Sequence, residues 1–127
     1  MVIMRHEAKF HSKFRHYLQA RMKEPGVFEV KYAHRDIVYF SALEEHQRES
    51  LLAAKHRSLT YKPPDDTRGF KPCDFLHFAG VRAYVVVKYS KGFVLIDIDV
   101  WVEEARISKR KSLTWERARY LAWKVEE

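Results

Sequence analysis

The chain is expected to fold as a single domain over residues 1–127, of α/β or α+β class, with a mixed sheet flanked by helices. Three observations predict this. An amphipathic helical stripe opens the chain, a strand and a second helix follow, and three closely spaced strand-like runs then lead to a last helix.

The first helix is expected from about residue 5 to 22. Phe10, Phe14, Leu18 and Met22 recur every fourth residue and lie along one slowly drifting stripe. Pro25-Gly26 ends it. Val27-Phe-Glu-Val-Lys-Tyr32 reads as a strand rich in apolar and aromatic residues. Ser41-Ala-Leu-Glu44 has the form of a capping box, so a second helix is expected from Ser41 to about Lys55. Leu43, Ser50, Leu51 and Ala54 would lie on its buried side. Ser58–Lys62 suits a short strand, and the turn-rich Pro63-Pro-Asp-Asp-Thr-Arg-Gly69 a loop. Strands are expected over Phe70–Phe78, Val81–Tyr89 and Phe93–Val102, separated by breaks at Ala79-Gly80 and Ser90-Lys-Gly92. A basic stretch, Arg106–Lys111, precedes a helix from Thr114 to Lys124.

Composition narrows the function. The chain is 46% hydrophobic and 14% aromatic, enough to bury a core, and its mixed charges suit a globular surface. A net charge of +7 favours a polyanionic partner, of which nucleic acid is the commonest. The single cysteine, Cys73, permits neither an internal disulfide nor a thiolate zinc site and fits a reducing cytoplasm. The N-terminal residues lack the apolar core of a signal peptide, and no apolar run is long enough to span a membrane. His6, His11 and His16 are five residues apart, about 500° of helical rotation, so they do not share a face as zinc ligands would. Neither a glycine-rich phosphate loop nor a Gly-x-Ser-x-Gly elbow is present.

The residues that carry chemistry begin with Glu29 and Lys31. Two apart on a strand, they project from one face while Val30 turns away. A carboxylate beside an ammonium suits a divalent metal and a phosphate or activated water; it also suits a solvated ion pair. Glu7 falls within roughly 20° of Phe14 and Leu18 on the helical wheel, which puts a carboxylate at the end of an apolar stripe. It is either a site residue or a first-turn acid that favours the helix dipole. Gln47 shares the stripe of Leu43, Leu51 and Ala54, so its amide should face the sheet and need partners there. Asp74 alternates in phase with Pro72, Leu76 and Phe78, which would place it on the more buried face of its strand. Asp97 and Asp99 also share a face, as a second metal pair or as the wet side of an alternating edge strand.

In combination these motifs resemble the PD-(D/E)XK nuclease superfamily, whose fold is the restriction-endonuclease-like mixed sheet. They are Glu7 on the first helix, Phe28-Glu-x-Lys31, Ser41 and His46-Gln47 on the next helix, and Lys71-Pro-x-Asp74. Within it they are most similar to the RecU-like and archaeal Holliday-junction resolvases, over residues 5–100. The resemblance implies an Mg²⁺- or Mn²⁺-dependent endonuclease for branched or otherwise structured DNA. It implies metal binding by Glu29 and Asp74, support of the attacking water by Lys31, and completion of the site by Glu7 and Gln47. It also implies a homodimer, for which Trp101, Trp115 and Trp123 would supply a face unless they are core. The motif order is rearranged, since the usual metal-binding aspartate precedes Glu-x-Lys and the first aspartate here is Asp36. A rival alignment reads Asp74 with Val86-Val87-Lys88 and predicts a dead site. The glutamine-bearing helix after Glu-x-Lys favours the first. Candidate DNA contacts are Lys62, Arg68 and Lys71 beside the Asp74 segment, and Lys109, Arg110 and Lys111 before the last helix. Two other outcomes are a non-catalytic DNA-binding module with a decayed nuclease fold and a protein-interaction domain that is basic without consequence.

Overall fold

The computed structural model describes the backbone of residues 2–64 and 73–127, and the side chains of residues 9–64 and 73–127. The elements in chain order are α1 (Val2–Arg21), β1 (Gly26–Tyr32), β2 (Ile37–Tyr39), a 3₁₀ turn (Phe40–Ala42), α2 (Glu45–His56), β3 (Leu59–Tyr61), β4 (Leu76–Phe78), β5 (Arg82–Tyr89), β6 (Gly92–Asp97), α3 (Ile98–Ile107), β7 (Ser112–Thr114), α4 (Trp115–Leu121) and β8 (Lys124–Glu126).

The expected mixed sheet is present. Its order is β1-β5-β6-β8, with β1 parallel to β5 and the remaining pairs antiparallel. The central strands are continuously apolar over residues 83–87 and 93–96 because both their faces are covered, and Val85–Val87 and Val94–Ile96 are wholly buried. Alternation along them separates two cores. Val85, Val87, Val94 and Ile96 pack with Leu51 of α2, Ile98 and Trp101 of α3, and Trp115 and Ala118 of α4. Tyr84, Val86, Phe93 and Leu95 face α1, where Phe10 and Phe14 are buried and Leu18 and Met22 pack alongside. The N-terminal stripe thus does what its period requires. Its rings meet the sheet edge to face, with Phe10–Phe93 centroids 5.3 Å apart and Phe14–Phe28 centroids 5.5 Å apart. Gly92 is required where β6 meets β8, since a Cβ there would stand 2.1 Å from the Glu126 carbonyl oxygen.

Four expectations are corrected. First, Ser41 does not open α2. The backbone N–H of Phe40 is held by the Lys111 carbonyl at 3.0 Å and Leu43 is buried, so the chain makes a 3₁₀ turn before the helix begins. The capping box is instead built by Glu44 and Gln47, reciprocally. Second, the run Phe93–Val102 is not one strand. It ends at Asp97, whose carboxylate accepts from the Asp99 backbone N–H at 2.8 Å and caps α3. Ile98, Trp101 and Glu104 then recur every third residue and are buried, a helical spacing hidden by the alternating Ile-Asp-Ile-Asp start. Third, β6 lies between β5 and β8 and is not an edge strand. Fourth, the expected helix Thr114–Lys124 is α4 alone, with Thr114 as its N-cap, and Lys124 belongs to β8.

Trp101 and Trp115 are core residues, whereas Trp123 is 44% exposed and stacks on Tyr84 at 5.1 Å with the Arg82 guanidinium over its ring. Among the described residues, no helix is long and apolar enough to cross a membrane.

Candidate active site

β1 is an edge strand whose Glu29 and Lys31 are in parallel register with Val85 and Val87. They therefore point to the face covered by α2, as the two-residue spacing requires. There Gln47, in the first turn of α2, donates from Nε2 to Glu29 Oε1 at 3.0 Å. Lys31 Nζ stands 3.6 Å from the same oxygen. The Gln47 amide is held from its other end, where Oε1 accepts from the Glu44 backbone N–H at 3.0 Å. One side chain thus both caps the helix and orients the carboxylate, which answers the question of where the inward-facing amide finds partners.

Glu29 Oε2 accepts no hydrogen bond among the described residues. The Glu29 side chain is 33% exposed and that of Lys31 17%, so both are partly withdrawn from water without being sealed. Glu29 and Gln47 border a cavity of about 510 Å³ between β1, α2 and the β3–β4 hairpin, lined further by His46, Ser50, Tyr61 and Phe78. The cavity is of ordinary ligand-site size. The aromatic wall from β3 and β4 was not visible in the sequence, because it depends on two strands separated by more than a dozen residues pairing with each other.

Asp74 requires a correction. It is exposed, lies ahead of β4 and not within it, and β4 pairs with β3 in a separate two-stranded sheet. It is thus not on a strand adjacent to β1, whose neighbour is β5. It remains close to the cavity in sequence terms: Leu76, two residues on, is a lining residue, and two residues span at most about 7 Å. Glu7 lies where side chains are outside the described residues, and Arg68 and Lys71 lie outside them altogether. The rival motif fares differently. Lys88 is in register with Tyr32 and lines a cavity with Phe10 beneath α1, on the opposite face of the sheet from Glu29 and Lys31.

Asp97 and Asp99 form a different kind of cluster. Lys55 Nζ donates to both oxygens of Asp97 at 2.8 and 2.9 Å and also pairs with Asp99, whose carboxylate meets His56 Nε2 at 2.8 Å. Burial disfavours the charged forms of Lys55 and Asp99, but their mutual hydrogen bonds prevail, holding the lysine above its ordinary range and the Asp99 carboxyl below its own. These acids are neither a wet strand face nor an open metal pair; they tie the end of α2 to the start of α3. Among the described residues, no group of three or more His, Cys, Asp or Glu side chains is arranged to hold a metal.

Of the other cations, Lys62 is exposed just after β3, and Lys109, Arg110 and Lys111 are exposed in the turn between α3 and β7. That turn borders a cavity of about 320 Å³ with Ser108, Thr114 and Arg117. Arg117 is itself committed to the buried Glu104, with Nε 2.7 Å from Oε2 and Nη2 3.0 Å from Oε1, a bidentate pair that joins α3 to α4. No protein-family model matches the chain, and comparison with curated proteins and with solved structures returns no significant match.

Proposed function

We propose that the chain is a divalent-metal-dependent endonuclease acting on branched or otherwise structured DNA, the four-way junction being the class to which its motif pattern points. One observation carries the reading. A carboxylate and an amide from two separate elements, singled out by type and spacing, are hydrogen-bonded at the border of a cavity, with the Lys31 ammonium 3.6 Å from the carboxylate. Elsewhere on this sheet face the side chains are packed in core.

The donor set suits a hard cation. Mg²⁺ binds through one or two carboxylates, keeps several waters and takes phosphate oxygens of the substrate, so a three-acid cluster is not required. Glu29, through Oε2, and Asp74, two residues before the cavity-lining Leu76, are the residues that would hold it. When bound, the ion would lower the pKa of a coordinated water and offset charge on the phosphate. Lys31 would neutralise a phosphate oxygen or orient the attacking water, and Gln47 fixes the Glu29 carboxylate for that work. Lys62, Lys109, Arg110 and Lys111 would hold backbone phosphates, and a homodimer would match the two-fold symmetry of a junction.

The test is a cleavage assay on four-way-junction, duplex and single-stranded DNA, with Mg²⁺ or Mn²⁺ and with chelator. Metal-dependent cleavage of the junction is expected, and Glu29→Gln, Asp74→Asn and Lys31→Ala should each abolish it while DNA binding persists. Full activity of Glu29→Gln or Asp74→Asn would sink the assignment. Salt-dependent DNA binding without cleavage of any form would identify a non-catalytic DNA-binding module. Absence of salt-dependent affinity would leave a protein-interaction domain.

A further inference from the structure

On the face of the sheet opposite Glu29, three lysines gather around a small cavity of about 240 Å³. Lys9 and Lys13 come from α1 and Lys88 from β5, with Phe10 and Tyr32 as the apolar wall. The arrangement follows from local geometry. Lys9 and Lys13 are four residues apart and flank the stripe that buries Phe10 and Phe14, so both overhang the sheet where α1 crosses β5. Lys88 rises from the sheet beside Tyr32, its register partner.

This cluster is unfavourable as it stands. Like charges four apart on a helix repel, and Lys88 adds a third ammonium from below. Burial, and next the charge of Lys13, lower the Lys88 pKa, opposed only in part by the charge of Asp36. Among the described residues none of the three lysines forms an ion pair. The nearby acids are otherwise placed. Asp36 gives both oxygens to Ser90, at 2.8 Å to the backbone N and 2.6 Å to the hydroxyl. Glu126 and Glu127 line an adjoining cavity of about 170 Å³, which Lys13 and Lys88 also border, without an ion-pair contact to either lysine. Lys88 Nζ spends one bond on the Tyr89 carbonyl, which leaves two donors.

We infer that Lys9, Lys13 and Lys88 form a binding pocket for a phosphate group, separate from the Glu29 site and on the other face of the sheet. Three ammoniums supply charge and donors from two elements, and a bound dianion or diester relieves their repulsion. The cavity is below the usual range for drug-sized ligands, roughly 300–1,000 Å³, and suits a compact group. The phosphate would be a terminal monoester or a backbone diester of nucleic acid, and the pocket does not depend on whether the Glu29 site cleaves.

Titration of the full chain with inorganic phosphate at constant ionic strength tests this, read from amide shifts by NMR. Saturable shifts are expected at residues 9, 13, 32 and 88, and Lys13→Gln/Lys88→Gln should weaken binding at least tenfold. Lys23→Gln/Arg57→Gln, exposed cations outside both sites, is the control and should change it less than twofold. Because Lys9 and Lys13 are exposed, Lys9→Gln/Lys13→Gln should fold normally and repeat the loss should the Lys88 variant prove unstable. A 5′-phosphorylated mononucleotide and a short duplex with hydroxyl ends, used as competitors, separate an end-binding from a backbone-binding pocket. Chloride matching phosphate, or a lysine variant binding as tightly as the parent, overturns the inference.

Discussion

The two ends of α2 carry polar clusters of similar composition and opposite character. At its start, Gln47, Glu29 and Lys31 leave Glu29 Oε2 without a hydrogen bond among the described residues, beside a cavity. At its end, Lys55, His56, Asp97 and Asp99 satisfy one another, and Asp97 also caps α3. Charges that are fully paired stabilise a junction between elements and have little left for a ligand. A carboxylate held by one amide and approached by one ammonium at 3.6 Å retains that capacity. Counting acids in the sequence cannot tell the two apart, because the difference lies in which cations reach them.

The contrast can be broken in several ways. The largest expected effect is on catalysis. Lys31→Ala should lower junction cleavage about 10³-fold, within the range for loss of a positioned catalytic group. Lys55→Ala, its counterpart at the closed end, should change the cleavage rate of the folded protein less than about threefold, within the scatter of variants outside a site. Single-turnover rates compare them, and equal losses would erase the distinction.

Next comes stability. Asp97→Ala removes a helix cap and the bidentate acceptor of Lys55, and should cost about 2 kcal/mol in urea unfolding. Glu29→Gln keeps an acceptor for Gln47 and should cost less than about 1 kcal/mol. The reverse ranking would make Glu29 a structural residue. A smaller effect is expected of Gln47→Leu, which loses one half of the capping box and should cost about 1 kcal/mol. It should also lower cleavage by freeing the Glu29 carboxylate, with Gln47→Glu restoring the cap and not the contact with Glu29.

The smallest effect is the pH dependence. The folded-state pKa of Asp99 lies below its ordinary value, so its contribution is present above the ordinary aspartate range and is lost as pH falls through the folded value. Lys55 is shifted upward, so its contribution holds at neutral pH and disappears only in strong base. Urea midpoints measured from about pH 6 down to about pH 3 should fall more steeply for the parent than for Asp99→Asn. Parallel curves would show that the cluster contributes nothing to acid stability.

Much of this was legible residue by residue. The stripe Phe10–Met22, the shared face of Glu29 and Lys31, and the inward amide of Gln47 all follow from periods of 3.6 and 2 acting within one element. Asp74 was not legible, because its exposure depends on β4 leaving the main sheet to pair with β3. Nor was the role of Asp97 and Asp99: an alternating pattern that continues into a helix looks like a strand until a capping carboxylate is seen to end it. Lys88 was weighed only as the lysine of the rival motif, because its grouping with Lys9 and Lys13 joins residues more than seventy positions apart.

By itself the sequence determined that α1 is a helix and β1 and β5 are strands, and which way the Phe10–Met22 stripe, Glu29 and Lys31 face from their own elements. Backbone geometry sets these over a few residues. Tertiary structure alone decided that β1 lies beside β5, that two acids are neutralised while one keeps an oxygen toward a cavity, and that three distant lysines share a pocket. Those outcomes depend on contacts between residues far apart in the chain, chosen by how the apolar faces are buried together.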